Sequence, residues 1–186
     1  LGEACPDPLK RARLLLEKVI ESGTLPFSIL ARHAFIGVSF LQSLVRCDII
    51  LTETVDEFMR SIHTVAADVV HDMAAVSEKS LNRETFLDRH GHLRPGTYDI
   101  HSQRYDQAPD LYLGHGQPHP IIKSAPFVPE PSLDARINEA LAAEGYDLVT
   151  VDLFAYIATA IAAREKAKYA FTCGISDALE ALAEWG

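Results

Sequence analysis

The stretch PFSILARHAFIGVSFLQSLV, residues 26–45, decides the fold class of this chain. It opens with a proline, which favours the first position of a helix, and then carries apolar side chains at helical spacing, namely Phe27, Leu30, Ala34, Phe35, Val38, Leu41, Leu44 and Val45. A helix with so little polar surface is expected to lie centrally in a bundle. Arg32 and His33 interrupt it, and a guanidinium there needs a carboxylate, carbonyl groups or a ligand to offset its desolvation.

Helix signals continue on both sides of this stretch. A first helix is predicted from Pro8, with Asp7 as its cap, to Gly23. A third helix is predicted from about Thr54 to Met73, where apolar residues keep a helical period behind a capping-box spacing. Further helices are predicted at about 83–89 after the cap Asn82, from the cap Ser132 to about Glu144 with Gly145 at its end, and at about 150–169 and 176–185. The sequence therefore predicts an all-α, multi-helix bundle that forms a single domain over residues 1–186.

Between about 91 and 131 the composition changes. Seven of the ten prolines lie in this interval: Pro95, Pro109, Pro118, Pro120, Pro126, Pro129 and Pro131. Proline removes a backbone donor and clashes within a helix, so regular helix is not expected here. Tyrosines and isoleucines in the same interval favour a long, ordered loop with room for short strands, and loops of this length usually serve a function.

The start of that loop has an unusual composition. Residues 86–105 read FLDRHGHLRPGTYDIHSQRY and place three His, three Arg, two Tyr and two Asp around Gly91 and Gly96. Ionisable and aromatic side chains between two glycines suit the binding of an anionic ligand. Tyr98 and Tyr105 would either wall such a pocket or cover the core.

Two cationic residues on the predicted C-terminal helix extend this argument. Arg164 and Lys168 are four residues apart and share a face, which costs about 0.2–0.5 kcal/mol as a like-charge pair unless an anion lies between them. Arg32, on a mostly apolar helix, also needs either an anionic ligand or a partner within the protein. The alternative, equally favoured, is that such cations pair internally with Asp99, Asp106 or Glu165.

Composition excludes several functions. A net charge of −9, without a basic run, argues against a nucleic-acid surface. Cys5, Cys47 and Cys173 lie far apart, so neither a disulfide framework nor a thiolate zinc site is predicted, and the cytoplasm is the expected location. No apolar run reaches the roughly 18 residues of a membrane span, and no signal peptide is recognised. The start at Leu1 favours a piece of a longer polypeptide.

Familiar catalytic motifs are missing from the sequence. The loop histidines could ligate a metal in a hydrolase, but no HExxH or paired-carboxylate spacing accompanies His90, His92, His101, His115 and His119. The glycines fit neither GxGxxG nor a Walker loop, and no GxSxG elbow occurs. We therefore predict that this chain binds neither metal nor ATP and is not catalytic by itself.

Three segments carry a resemblance to a known family. GHLRPGTYDI at residues 91–100, LARHAFIGVSFLQSL at residues 30–44 and AREKAKYAFT at residues 163–172 are similar to segments of the phosphoenolpyruvate synthase-like proteins, and more distantly of the rifampicin phosphotransferases. The resemblance covers most of the chain from about Arg11 onward. Ser102-Gln103-Arg104 departs from the Ser-Pro-Arg expected in the family, and Cys173-Gly174 replaces a basic residue and Asn.

The resemblance implies a multidomain dikinase as the parent protein. In that family an ATP-grasp domain, using ATP and Mg²⁺, phosphorylates a histidine on a swivelling domain, which passes the phosphoryl group to an acceptor. This chain shows neither of those signatures, so it would be the helical domain that binds an anionic or hydroxyl-bearing acceptor or supports the other domains. Arg94, Arg104 and Lys168 would orient an anionic acceptor or screen the moving phosphoryl group, and Asp99 would pair with an arginine. His92 would make a structural hydrogen bond in the loop or, as the alternative, carry a proton. The alternative is a stand-alone helical module that binds a small molecule or a partner protein without chemistry.

Overall fold

The computed structural model describes residues 7–113 and 125–185, and all regular elements in these two ranges are helical. This confirms the predicted all-α class, and the described part of the loop contains no strand. The elements are α1 (Pro8–Val19), a π-helical turn (Ile20–Thr24), α2 (Leu25–Arg46), α3 (Thr52–Ser61), α4 (Val65–Ser77), α5 (Arg83–His90), α6 (Pro109–Leu113), α7 (Pro131–Ala143) and α8 (Thr150–Trp185).

The chain forms two compact units, each made from separate stretches of sequence. The first unit takes residues 1–27, 65–121 and 167–186, and the second takes residues 28–64 and 122–166. The boundaries at residues 27 and 166 fall inside α2 and α8. Because no linker composition accompanies them, the sequence was interpreted as one domain.

The second unit has an apolar core. Its buried cluster consists of Leu41, Leu44, Ile50, Phe58, Ile137, Leu141, Leu153, Phe154 and Ile157. Phe58 meets the ring of Phe154 edge-on at 4.6 Å and that of Phe127 at 5.5 Å, a geometry that aromatic pairs prefer. The prediction that α2 lies centrally is only partly right. The helix buries one face through small and aliphatic residues, whereas Phe35, predicted to be interior, is 64% exposed.

The predicted break between the first two helices is wrong. Gly23 does not end the first helix, and Pro26 does not open a new one, because the chain stays helical through the π-helical turn. Pro26 cannot donate to the carbonyl four residues earlier, and the widened turn before it accommodates the proline ring. Ser22 Oγ donates to the carbonyl of Lys18 at 2.7 Å within this stretch.

The continuous helix from Pro8 to Arg46 is 39 residues long, and its length and apolar composition are sufficient for a membrane span. The expectation that no segment has this length and composition is therefore wrong, because residues 8–23 and 26–45 were predicted as two separate helices. Only 22% of its most apolar 18-residue stretch is buried. The buried residues of α2 nevertheless lie on one face, as in a helix that packs against protein.

The predicted third helix is two helices. α3 ends at Ser61, where its hydroxyl donates to the carbonyl of Phe58 at 2.6 Å and Ile62 takes an extended conformation. The apolar period resumes in α4, so the pattern looked unbroken in the sequence. The capping box is also wrong, since Leu51 occupies the cap position and Thr54 lies within the first turn.

Two more helix boundaries differ from prediction. α6 begins at Pro109 inside the interval from which helix was excluded, because proline is tolerated in a first turn. The helices predicted at 150–169 and 176–185 are one helix, α8. Gly174 lies in the predicted gap between them, and a Cβ there would lie 2.4 Å from Val19 Cγ2. The glycine therefore allows close packing of α8 on α1.

Two local predictions are confirmed. The amide of Glu84 donates to Asn82 Oδ1 at 2.9 Å, so Asn82 caps α5 as expected. Gly145 follows α7 with φ +78°, a left-handed conformation that favours glycine after a helix. The predicted cap of α7 is wrong: the helix begins at Pro131 with Glu130 in the cap position, so Ser132 lies within its first turn.

Candidate functional site

The segment from 86 to 106, in the first unit, folds back on itself. After α5 ends, the amide of Tyr105 donates to the carbonyl of Leu93 at 2.9 Å, and that of Asp106 donates to the carbonyl of Gly91 at 3.1 Å. A Cβ on Gly91 would lie 2.9 Å from Asp106 Cβ, and 2.4 Å from the carbonyl oxygen of Leu87. Glycine at this position therefore lets the two ends of the loop approach each other.

Arg94 connects this loop to α8. Its side chain is only 2% exposed. Nη1 donates to the carbonyls of Asp99 and Ser102 at 3.3 and 3.0 Å, within the loop. Nη2 donates to Ser176 Oγ at 3.1 Å and to Glu180 Oε1 at 2.6 Å, both on α8. The guanidinium is thus fixed by a buried ion pair and by two loop carbonyls.

A second arginine makes a similar connection. Arg104 holds Asp106 with two hydrogen bonds, of 3.0 and 2.7 Å, and donates to Asp177 Oδ1 at 3.0 Å. Burial alone would lower the pKa of Arg104, but the hydrogen bonds and charges of these two carboxylates outweigh it and raise that pKa. Bidentate arginine–carboxylate pairs combine strength with a fixed geometry.

His90 lies between a carboxylate and a phenol. Its Nε2 is 3.0 Å from Asp72 Oδ2, and its Nδ1 is 2.9 Å from the hydroxyl of Tyr169. Arg89 donates to the same Asp72 oxygen at 3.1 Å. Burial raises the pKa of Asp72, but the hydrogen bonds from His90 and Arg89 outweigh it, so the pKa is lowered. Asp72 is therefore held as a carboxylate.

His92, considered as a structural residue of the loop or as a proton carrier, packs edge-on against Tyr169 with ring centres 4.8 Å apart. Burial lowers the pKa of His92, and the nearby charge of Arg104 lowers it further. The neutral imidazole is therefore favoured near pH 7. Its Nε2 is buried and has no hydrogen-bond partner among the described residues.

The remaining predicted binding residues are less buried. Tyr98, Asp99 and Lys168 are exposed, and Asp99 Oδ1 accepts a hydrogen bond from the amide of His101 at 2.9 Å. Tyr105 is half-buried and packs against Tyr112 with ring centres 5.0 Å apart. The structure thus brings together His92, Arg94 and Arg104, while the exposed residues take no part in their ion pairs.

Two predicted residues belong to the second unit. Arg32 is exposed on α2. Arg164 pairs with its neighbour Glu165 and lies 6.0 Å from the ring centre of Phe35, within the range of a cation–π contact. Internal pairing, the alternative weighed from the sequence, is thus what the structure shows for Arg94, Arg104 and Arg164.

Sequence reasoning missed the acidic and hydroxyl partners. They lie on α4 and α8: Asp72, Tyr169, Ser176, Asp177 and Glu180. A signal was present, because residues 169, 173, 176, 177 and 180 have i, i+3 and i+4 spacing on one helix. Splitting α8 near Gly174 concealed that shared face.

In the ranges 7–113 and 125–185, no group of three His, Cys, Asp or Glu side chains is placed to hold a metal ion. Two of the histidines considered as ligands, His115 and His119, lie outside these ranges. His90 has one carboxylate neighbour, Asp72, which leaves it well short of a metal-binding set.

No protein-family model, curated protein or solved structure matches this chain. The relationship to phosphoenolpyruvate synthase-like proteins therefore stays a prediction carried by the three motifs.

Proposed function

We propose that this chain is the helical acceptor-binding or supporting domain of a phosphoenolpyruvate synthase-like, ATP-dependent phosphotransferase, and that the 86–106 segment has the supporting role. The observation that favours support is the buried Arg94, whose hydrogen bonds fix the loop to α8. ATP, Mg²⁺ and the phosphorylated histidine would belong to other domains of the parent protein. This chain would maintain the structure of the region in which the acceptor binds.

The charge balance of the segment supports this choice. Arg94 and Arg104 face three carboxylates, those of Asp106, Asp177 and Glu180. Screening a phosphoryl group requires donors that point at the place where charge develops. Here four donors of Arg94 and Arg104 already point at carboxylate oxygens, so an incoming anion would have to displace them. Lys168, exposed on α8, is better placed to meet an acceptor.

The test begins with the native polypeptide. We expect its mass to be several times that of this chain, and its flanking peptides to contain an ATP-grasp segment and a phosphohistidine segment. On incubation with ATP labelled at the γ-phosphate, the protein should acquire acid-labile phosphate on histidine. A native chain that ends near Gly186 and takes up no label would rule out the proposal.

Two variants of that parent enzyme separate support from acceptor recognition. Lys168→Ala should reduce acceptor phosphorylation and leave histidine autophosphorylation unchanged. Arg94→Ala should lower thermal stability and reduce both reactions, because it loosens the loop. If Arg94→Ala keeps its stability and loses only acceptor use, the segment binds the acceptor and the supporting role is wrong. Arg13→Ala, at an exposed pair with Glu17, is the control.

A second function is favoured by one further observation. The second unit contains a largely apolar cavity of about 460 Å³, within the usual range for small-molecule sites. A stand-alone binding module would need such a cavity and no other domains. This function would be favoured over the first if a native chain of this length takes up no phosphate from ATP and binds a small molecule saturably.

A further inference from the structure

The cavity of the second unit lies between α2 and the end of α7. Ile36, Phe40 and Leu44 of α2 line one side, and Leu141, Glu144 and Tyr146 line the other. Most of the lining is apolar, which suits a ligand with a hydrocarbon or aromatic body. The specificity of such a site comes from its few polar and aromatic groups.

The polar and aromatic groups of the lining are of a kind that attracts positive charge. Glu144 is an exposed carboxylate that forms no ion pair with the described residues. Beside it, the rings of Phe40 and Tyr146 meet edge-on with centres 5.5 Å apart, and ring faces attract cations. α7 ends at Ala143, so the negative end of its dipole lies next to Glu144. Carboxylate, ring faces and helix end all favour a positive charge.

The lining of the cavity has no positive side chain of its own, since no Lys or Arg is among the described residues that line it. Two cations lie next to it: Arg46 donates to Ser43 Oγ at 2.9 Å, and Arg136 of α7 donates to the carbonyl of Asp48, between the lining residues Cys47 and Ile49. A ligand cation would therefore be repelled near Ser43 and Cys47 and attracted to Glu144 and the paired rings of Phe40 and Tyr146. This fixes an expected orientation for the ligand.

We propose that this cavity binds an organic cation, an ammonium group carried on an apolar body. The ammonium lies against Glu144 and the rings of Phe40 and Tyr146, and the apolar body contacts Leu44 and Leu141. The inference is independent of the phosphotransferase proposal, because it depends on the second unit alone. It holds whether the bound molecule is a substrate or a regulator.

The test compares two probes of the same shape. Phenylpropyl-trimethylammonium carries the charge, and its neutral isostere has carbon in place of the ammonium nitrogen. In calorimetric titrations of the chain, we expect the cation to bind at least about fivefold more tightly, the range given by a partly desolvated cation–π contact and a carboxylate. Equal affinity for the two probes, or no binding of the cation, would overturn the proposal.

Variants then place the ligand. Glu144→Gln should remove most of the preference for the cation. Glu139→Gln changes an exposed carboxylate of α7 that does not line the cavity, and it should keep the preference. Bound cation should also slow alkylation of Cys47, an exposed thiol that lines the cavity. Cys173, in the first unit, serves as the internal reference. A preference unchanged by Glu144→Gln, or unchanged alkylation of Cys47, would show that the cation binds elsewhere.

Discussion

The two units of this protein are stabilised internally by different interactions. The second unit buries aliphatic and aromatic side chains with almost no charge, whereas the first is organised around a guanidinium and an imidazole that are held by carboxylates. Apolar burial is non-directional and tolerates small shifts, but a buried charge needs its partners in place. The comparison predicts that single substitutions will affect the two units for different reasons.

Arg94→Ala should have the largest effect on stability. It removes one partner of a buried ion pair and leaves the carbonyls of Asp99 and Ser102 without their donor. Such losses cost about 3–5 kcal/mol, measurable as a shift in the urea unfolding midpoint. Arg13→Ala in the same unit removes an exposed pair and should change stability by less than about 1 kcal/mol. If Arg94→Ala also lowers the free energy of unfolding by less than about 1 kcal/mol, the ion pair does not organise the first unit.

Leu41→Ala tests the apolar side of the comparison. Leu41 is 1% exposed in the core of the second unit, and its truncation removes transfer energy and leaves a cavity. We expect a loss of about 2–5 kcal/mol in the free energy of unfolding, measured in the same urea titration. Val151→Ala, at a 69% exposed position on α8, is the control and should be neutral or slightly stabilising, since alanine favours helix. Equal effects of the two variants would contradict the assigned core.

Gly174→Ala tests how closely α8 packs in the first unit. The added methyl would lie 2.4 Å from Val19 Cγ2, and valine has little rotamer freedom in a helix, so the helices must separate. Overpacking of this kind costs about 1–3 kcal/mol, less the helix-propensity gain of about 1 kcal/mol. The readout is the thermal unfolding midpoint. The double variant Val19→Ala with Gly174→Ala should recover part of the loss, and failure to recover would argue against this contact.

Asp72→Asn should have the smallest effect on the free energy of unfolding. Its effect should be seen in how that free energy changes with pH. Because the folded protein lowers the pKa of Asp72, the unfolded chain binds more protons, and stability rises with pH in that range. The contribution is complete above the unfolded pKa of about 3.9 and is lost as pH falls through the folded value. The urea midpoint of the variant should therefore fall less steeply between about pH 5 and pH 2 than that of the original protein.

The matched control for Asp72→Asn is Asp110→Asn, which removes an exposed partner of Arg83 in the same unit. Its pH dependence should follow that of the original protein. Parallel curves for Asp72→Asn and the original protein would show that His90 and Arg89 do not hold this carboxylate in its charged form.

The apolar core of the second unit could be predicted from the sequence, but the ion pairs of the first unit could not. Helical periodicity identified the apolar residues of the second unit, such as Leu41 and Leu44, because burial leaves a local pattern. It could not identify Glu180 as the partner of Arg94, because the two residues are 86 positions apart and charged residues on a helix face usually contact water. The sequence therefore predicted that Arg94 and Arg104 bind a ligand, whereas in the structure both form ion pairs with carboxylates of the same chain.

Helix boundaries failed for a related reason. Gly23, Pro26 and Gly174 are local signals for helix ends, yet the chain remains helical at all three positions. At Gly174 the deciding contact is Val19, more than 150 residues away in sequence. Tertiary packing overrode the local preference, and a single sequence contains no record of that contact.

The π-helical turn at Ile20–Thr24 also has a consequence for chain length. A π turn closes its hydrogen bonds one residue later than an α turn, so this stretch accommodates one residue more than a regular α-helix would. Removing a residue between 20 and 24 would convert the turn to ordinary α-helix and leave the side chains beyond it pointing as before. Removing one elsewhere between Pro8 and Arg46 would rotate all later side chains by about 100°. Among natural length variants of this helix, the gap should therefore fall at these five residues.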